Sequence, residues 1–170
     1  MVNEVNVIIN SAASVNFDDP LQDALQINYF GSQRMLELAK ECKNLEIFTH
    51  VSTAYVNCNR LGYIDEQIYN PNQDVKTLVG DIMKMSVQAV KEHESKLIGE
   101  FPNTYTFSKH LSEKNLLNSH SHVKTVIIRP SIIACADNQP FPGWTDSMAA
   151  AGGLTYLGGI GLLKILPSTG

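Results

Sequence analysis

Ile47-Phe48-Thr49-His50-Val51-Ser52-Thr53 is a short, mostly apolar run that ends on two hydroxyl residues. Ile47 to Val51 reads as a buried strand, and Ser52-Thr53 falls at its end, where open α/β sheets place their chemistry. Working outward, Val5 to Ile9 reads as an earlier strand that closes on the small residues Asn10-Ser11-Ala12-Ala13. Small side chains there let another group approach the backbone closely. Between the two runs, Pro20 sits where a first helical turn tolerates it. Leu21, Ala24, Leu25, Asn28, Met35, Leu36, Leu38 and Ala39 then recur at helical spacing, with Cys42 closing the buried face. Downstream, a polar loop leads to a helix expected over Val75 to Ile98, whose polar face carries Lys91, Glu92, Glu94 and Lys96. Pro102-Asn103-Thr104 starts a third helix running to about Asn118, and Val123 to Ile128 is a β-branched third strand.

The order β-α-β-α-α-β predicts an α/β fold, a parallel sheet covered by helices on both faces and joined by right-handed crossovers. Three strands are few for a doubly wound domain. The exposed edge at Val5 to Ile9 therefore invites pairing with another strand, including self-association. After Arg129-Pro130 the texture changes. A rigid loop, Asp137 to Trp144, leads into Gly-rich apolar sequence, where Gly152-Gly153 and Gly158-Gly159-Ile160-Gly161 read as turns, matching no phosphate-binding fingerprint.

With 170 residues, 44% of them hydrophobic and 18% charged, the chain has the composition of a globular protein with a real core. A net charge of -4 with scattered Lys and Arg provides no basic stripe, which sets nucleic-acid partners aside. Cys42, Cys58 and Cys135 have neither disulfide-frame nor zinc-ligand spacing, so no metal is expected and the compartment reads as reducing and intracellular. The longest apolar stretch, Met148 to Leu166, is broken by five glycines and Lys164, so no membrane span is expected in these residues.

Tyr105-Thr106-Phe107-Ser108-Lys109 places a phenol and an ammonium one turn apart on the third helix. A nearby cation stabilises the tyrosinate, which would lower the Tyr105 pKa and make it a better proton donor to a developing alkoxide. Thr53, with Ser52 beside it, could hold the same carbonyl oxygen. Together these groups suggest carbonyl reduction, although spacing alone reads equally well as a surface Tyr/Lys pair and a polar strand end. Asn28 is a polar side chain on an apolar helical face, where it must find partners. It could support Lys109 through a water or tie the helix to a neighbouring loop.

Several segments together resemble the fatty acyl-CoA reductases of the extended short-chain dehydrogenase/reductase group. They are Val7-Ile8-Ile9-Asn10-Ser11-Ala12-Ala13, Ile27-Asn28, His50-Val51-Ser52-Thr53-Ala54-Tyr55-Val56-Asn57, Asn103 to Lys109, Arg129-Pro130-Ser131-Ile132-Ile133 and Pro142-Gly143-Trp144-Thr145-Asp146. The resemblance implies a partial Rossmann-like doubly wound sheet that lacks the first strands and the Gly-rich loop. It divides the chain into residues 1–136, carrying the catalytic residues, and 137–170, the start of a substrate-binding segment. It also implies reduction of a long-chain fatty acyl-CoA by NADPH, through the aldehyde to the fatty alcohol. Tyr105 would be the acid, Lys109 its modulator and ribose ligand, Thr53 the carbonyl-binding hydroxyl with Ser52 as substitute, and Asn28 the supporting amide. Ser11, Ala12 and Ala13 would lie near the adenosine half of the cofactor, and Pro130, Ser131 and Ile132 near the nicotinamide. Peroxisomal or endoplasmic-reticulum association follows from the resemblance alone. Without a Gly-rich loop to anchor the pyrophosphate, the 170 residues by themselves are expected to have little or no reductase activity. The alternatives are a non-catalytic interaction module derived from such a reductase, or another extended short-chain reductase or epimerase.

Overall fold

The structure, a computed structural model, describes residues 2–148 and 150–163. Residues 2–129 form a partial Rossmann-like α/β fold around a three-stranded parallel sheet in the order β1-β2-β3. Here β1 is Val7–Asn10, β2 is Ile47–Val51 and β3 is Thr125–Ile128. Ile8 pairs with Phe48, and Phe48 with Thr125, so all three strands end at one edge of the sheet.

The crossover from β1 to β2 is a helical run in three pieces: α1 (Leu21–Ala24), a π turn (Leu25–Tyr29) and α2 (Phe30–Glu41). The sequence leads one to expect an unbroken helix here. The π turn inserts an extra residue into the hydrogen-bonded ladder around Asn28.

The helix expected over Val75 to Ile98 is two helices, α3 (Val75–Lys84) and α4 (Val87–Ile98). Met85 is extended, and the Ser86 hydroxyl accepts a bond from the Ala89 N–H at 3.2 Å, so a new cap starts a new helix. Asp74 caps α3 on the Thr77 N–H at 3.0 Å, while α4 stops at Gly99, whose φ of 62° suits a residue without a Cβ. α5 (Thr104–Ser119) is capped by Asn103, which accepts from the Thr106 N–H at 2.8 Å.

Two clusters make the core of residues 1–129, which form one compact unit. Leu36 and Ala39 of α2 and Leu116 of α5 pack on Ile8 and Phe48 of the sheet. The second cluster lies among helices: Leu21 and Leu25 meet Val75, Val79 and Ile82 of α3, Val90 of α4, and Phe107 and Leu111 of α5. α5 is thus buried nearly all round.

Among the described residues of the first unit, helices cover one face of the sheet only, which corrects the expectation of a sheet buried on both. Ile8, Asn10, Phe48 and His50 are buried, whereas Val7 is 50% exposed, Ile9 66%, Val126 40% and Ile128 49%. The reason is topological. Two right-handed crossovers that step the same way along a sheet put their helices on the same side.

Residues 130–170 form the second unit. A tight loop closes where the Ala136 N–H donates to the Trp144 carbonyl at 2.7 Å and the Gly143 N–H to the Ala136 carbonyl at 2.9 Å. Gly152 and Gly153 lie inside a helix, α6 (Ala150–Gly159), rather than in the expected turn. A Cβ at either would collide with the carbonyl oxygen of Ser147 or Met148, so the backbone there is packed too closely for a side chain. The second glycine group fits a turn: α6 ends at Gly159 and Gly161 has a φ of 77°. Among the described residues no helix is long and apolar enough to cross a membrane.

Candidate active site

At the C-terminal edge of the sheet, β2 runs into Ser52 and Thr53, both buried, and a short 3-10 turn, Ala54–Asn57, follows. The Ser52 N–H donates to the Ile128 carbonyl of β3 at 2.7 Å, which carries the sheet one residue past β2. Thr53 caps the turn by accepting the Tyr55 N–H at 3.3 Å. Its side chain is also near enough to the Tyr105 hydroxyl to lower the phenol's pKa. Phenol and hydroxyl, separated by some fifty residues of sequence, are therefore brought together.

Lys109 is buried one turn further along α5, and its Nζ donates to the Val51 carbonyl at 2.7 Å. Burial lowers its pKa to about 8, against a smaller opposite influence from the Glu113 carboxylate on the next turn. Glu113 is held in turn by Arg129, whose Nε and Nη2 donate to its two carboxylate oxygens at 2.9 and 2.6 Å. That fork ties α5 to the end of β3.

The pKa of Tyr105 departs from the sequence argument, which has Lys109 lowering it. Burial raises it, and the Thr53 side chain is the opposing influence. The physical reason is geometric: the ammonium is engaged with a main-chain carbonyl at the strand end, and the partly exposed phenol packs its ring 5.5 Å from that of Phe17. The acid of this site is held neutral.

Asn28 is buried and fully used. Its Oδ1 accepts the Ser14 N–H at 2.9 Å, and its Nδ2 donates to the Ser14 carbonyl at 3.2 Å and to Ser108 Oγ at 2.9 Å. Of the two roles open to it, the structure displays the tie between helix and loop. The loop it fixes, Ser11 to Asp19, leaves β1 beside the site: Ser11 and Ala12 are exposed, Ala13 is partly buried and Ser14 Oγ bonds Asp19. Thr104 Oγ1 pins the same loop to α5 through the Asp19 carbonyl at 2.8 Å. Tyr105, Lys109, Thr53, Ser52 and Asn28 are thus brought to one edge. Pro130, Ser131 and Ile132 follow Arg129, the residue after β3, and open the second unit.

Sequence reasoning passed over three groups here. Ser108 lies inside the quoted Tyr-to-Lys segment, and Glu113 stands four residues after Lys109, a spacing that could have flagged both. His50 has no acidic partner nearby in sequence to flag it. It is buried, its Nδ1 pairs with the Asn10 side chain at 3.1 Å, and burial, with Lys109 close by, lowers its pKa to about 3. His50 Nε2 and Ser52 Oγ are buried without a partner among the described residues.

Comparison with known proteins gives the family of the chain. The chain is 41% identical to fatty acyl-CoA reductase 1 of Gallus gallus over 162 residues, which are 95% of this chain and 31% of that protein. It is 39% identical to fatty acyl-CoA reductase 1 of Homo sapiens over 98% of this chain and 32% of that protein. Against fatty acyl-CoA reductase 2 of Bos taurus it is 37% identical, over 99% and 33%. The chain therefore spans about a third of the length of these relatives. A thiolation-reductase di-domain from an archaeal non-ribosomal peptide synthetase aligns at a TM-score of 0.49 and 22% identity, over 79% of this chain and 25% of that one. The NAD-binding family described as male sterility protein matches residues 1–169, nearly the whole chain, and the chain belongs to that family.

Proposed function

We propose that these residues are the proton-donating part of an NADPH-dependent fatty acyl-CoA reductase, which takes a long-chain acyl thioester through the aldehyde to the fatty alcohol. The observation that carries this reading is the meeting of Tyr105 with Thr53 at the strand end, with Lys109, one turn along α5, bonded to the Val51 carbonyl there. The names of the relatives supply the substrate class.

The residues fit a nicotinamide cofactor on its ribose side. Lys109 spends one N–H on the Val51 carbonyl and has others to donate, while Ser11 and Ala12 leave an exposed, small-sided approach to the backbone. When bound, reduced nicotinamide supplies a hydride. Thr53 orients the carbonyl oxygen, and Tyr105, kept protonated by its surroundings, gives its proton to that oxygen as charge develops there. Lys109 stabilises the tyrosinate left behind. Asn28 positions Ser108 and the β1 loop and touches no reacting atom in this arrangement. Pro130, Ser131 and Ile132 line the nicotinamide side in this proposal, and residues 137–170 begin the acyl-binding segment. The same reading gives an intracellular protein associated with peroxisomal or endoplasmic-reticulum membranes.

Tyr105→Phe is the direct test, made in the protein carrying these residues and read as fatty alcohol formed from long-chain acyl-CoA with NADPH or NADH. Loss of about a hundredfold or more in turnover with nucleotide binding intact is expected. Turnover retained in the variant, or a preference for NADH, overturns the corresponding part of the proposal.

A second reading rests on the sheet. β1 has an open edge and an exposed apolar face among the described residues, so association through it, including self-association, is the alternative or additional role.

A further inference from the structure

α5 has two chemically distinct faces. Tyr105 and Lys109 share one. Phe107, His110, Leu111 and Lys114 fall about half a turn away and line a cavity of about 260 Å³ on the other side. The loop from Asn57 to Gln73 gives this cavity a polar wall, and Leu97, Ile98 and Phe101 give it an apolar one.

Lys114 is 1% exposed, and the side-chain carbonyl of Gln73 is its hydrogen-bond acceptor. No carboxylate among the described residues is paired with it, and burial lowers its pKa without a compensating charge. A buried ammonium in that position is costly unless something anionic joins it. Asn59 adds a second open valence, since its buried Oδ1 has no partner. Turned over, the same amide presents N–H to an anion. Arg60 lines the same wall with its guanidinium 3.8 Å over the Tyr69 ring, and Glu100 is the single carboxylate among the lining residues. His110 spends Nδ1 on the Val56 carbonyl at 2.8 Å and is kept neutral by burial and the neighbouring cations. The balance is cationic on one side and hydrocarbon on the other.

We propose that this cavity binds a small aliphatic carboxylate, its carboxylate on the Lys114 ammonium and its hydrocarbon against Ile98 and Phe101. The apolar wall favours a carboxylate with a short chain over inorganic phosphate, which would leave those side chains uncovered. The site is separate from the Tyr105 face of the same helix, so it stands or falls independently of the proposed reduction.

Calorimetric titration of the protein with hexanoate, hexanol and inorganic phosphate tests this. Hexanoate is expected to bind saturably and at least about tenfold more tightly than either of the others. Lys114→Met should weaken hexanoate about tenfold or more, Lys114→Arg should retain most of it, and Tyr105→Phe should leave it unchanged. The comparison of the three ligands on the unmodified protein needs no variant, and circular dichroism checks that each variant is folded. Equal binding of hexanol, preference for phosphate, absence of binding, or loss of hexanoate in Tyr105→Phe but not in Lys114→Met each overturns the proposal.

Discussion

His50 and His110 illustrate how burial writes a pH dependence into single residues. Both are held neutral, with pKa values lowered from 6.5 to about 3 and about 4, chiefly by burial. Between about pH 6.5 and 4 the unfolded chain binds protons that the folded chain refuses. Folding stability is therefore full above pH 6.5 and falls as pH drops toward 4. Denaturant midpoints measured across that range should decline, and His50→Gln should flatten the decline. An unchanged slope would remove His50 from the account. Lys109 is also a base whose charged form burial disfavours, so the slope has the same direction: its lowered pKa means stability rises as pH passes from about 8 toward 10.5. Asn28 makes a different kind of statement. Asn28→Ala would leave the Ser14 N–H and carbonyl and the Ser108 hydroxyl short of a partner, at a cost of about 1–3 kcal/mol in chemical denaturation. At this scale the sequence was partly legible. A polar residue on an apolar helical face had to have partners, but which ones depended on a loop 14 residues before it and a helix 80 residues after it.

Helices and strands were legible where period and length agreed. β2 was read at its true bounds, and β1 and α5 within two residues, because their apolar runs end at strong signals such as Asn103. Two features escaped that reading. The π turn keeps nearly helical spacing, so its apolar pattern resembles that of an unbroken helix. The break at Met85-Ser86 is flanked by helix-favouring residues on both sides, and its serine reads as one more polar position unless it is recognised as a cap. That serine gives a clean test. Ser86→Ala removes the acceptor for the Ala89 N–H and should cost about 1 kcal/mol in thermal or denaturant unfolding, with helix content otherwise retained. A stability gain would mean that α3 and α4 prefer to fuse. The Tyr105–Lys109 pair also belongs to this scale. Helical spacing put both groups on one face, but it could not foresee that the ammonium reaches back to the Val51 carbonyl and leaves Thr53 as the phenol's partner.

For the whole molecule, the alternation of strands and helices announced a parallel sheet, and the sheet is there. What alternation does not encode is the direction in which successive crossovers step. Here both step the same way, so α2 and α5 share one face, and within the described residues of the first unit no helix covers the other, apolar face. That face turns the second reading of function into a measurement. Ile9 is 66% exposed on the open face of the edge strand β1, so Ile9→Lys removes apolar surface without disturbing the clusters around Leu36 and Leu25. Its effect on unfolding should stay within about 0.5 kcal/mol, as for an ordinary surface site. If the chain associates through this sheet, the lysine should shift a sedimentation or gel-filtration profile toward the smaller species, because a charge there is costly to bury and edge charges disfavour strand pairing. An unshifted profile at equal concentration would assign any association to another surface. A large loss of stability would instead mean that the face is already covered in the folded protein.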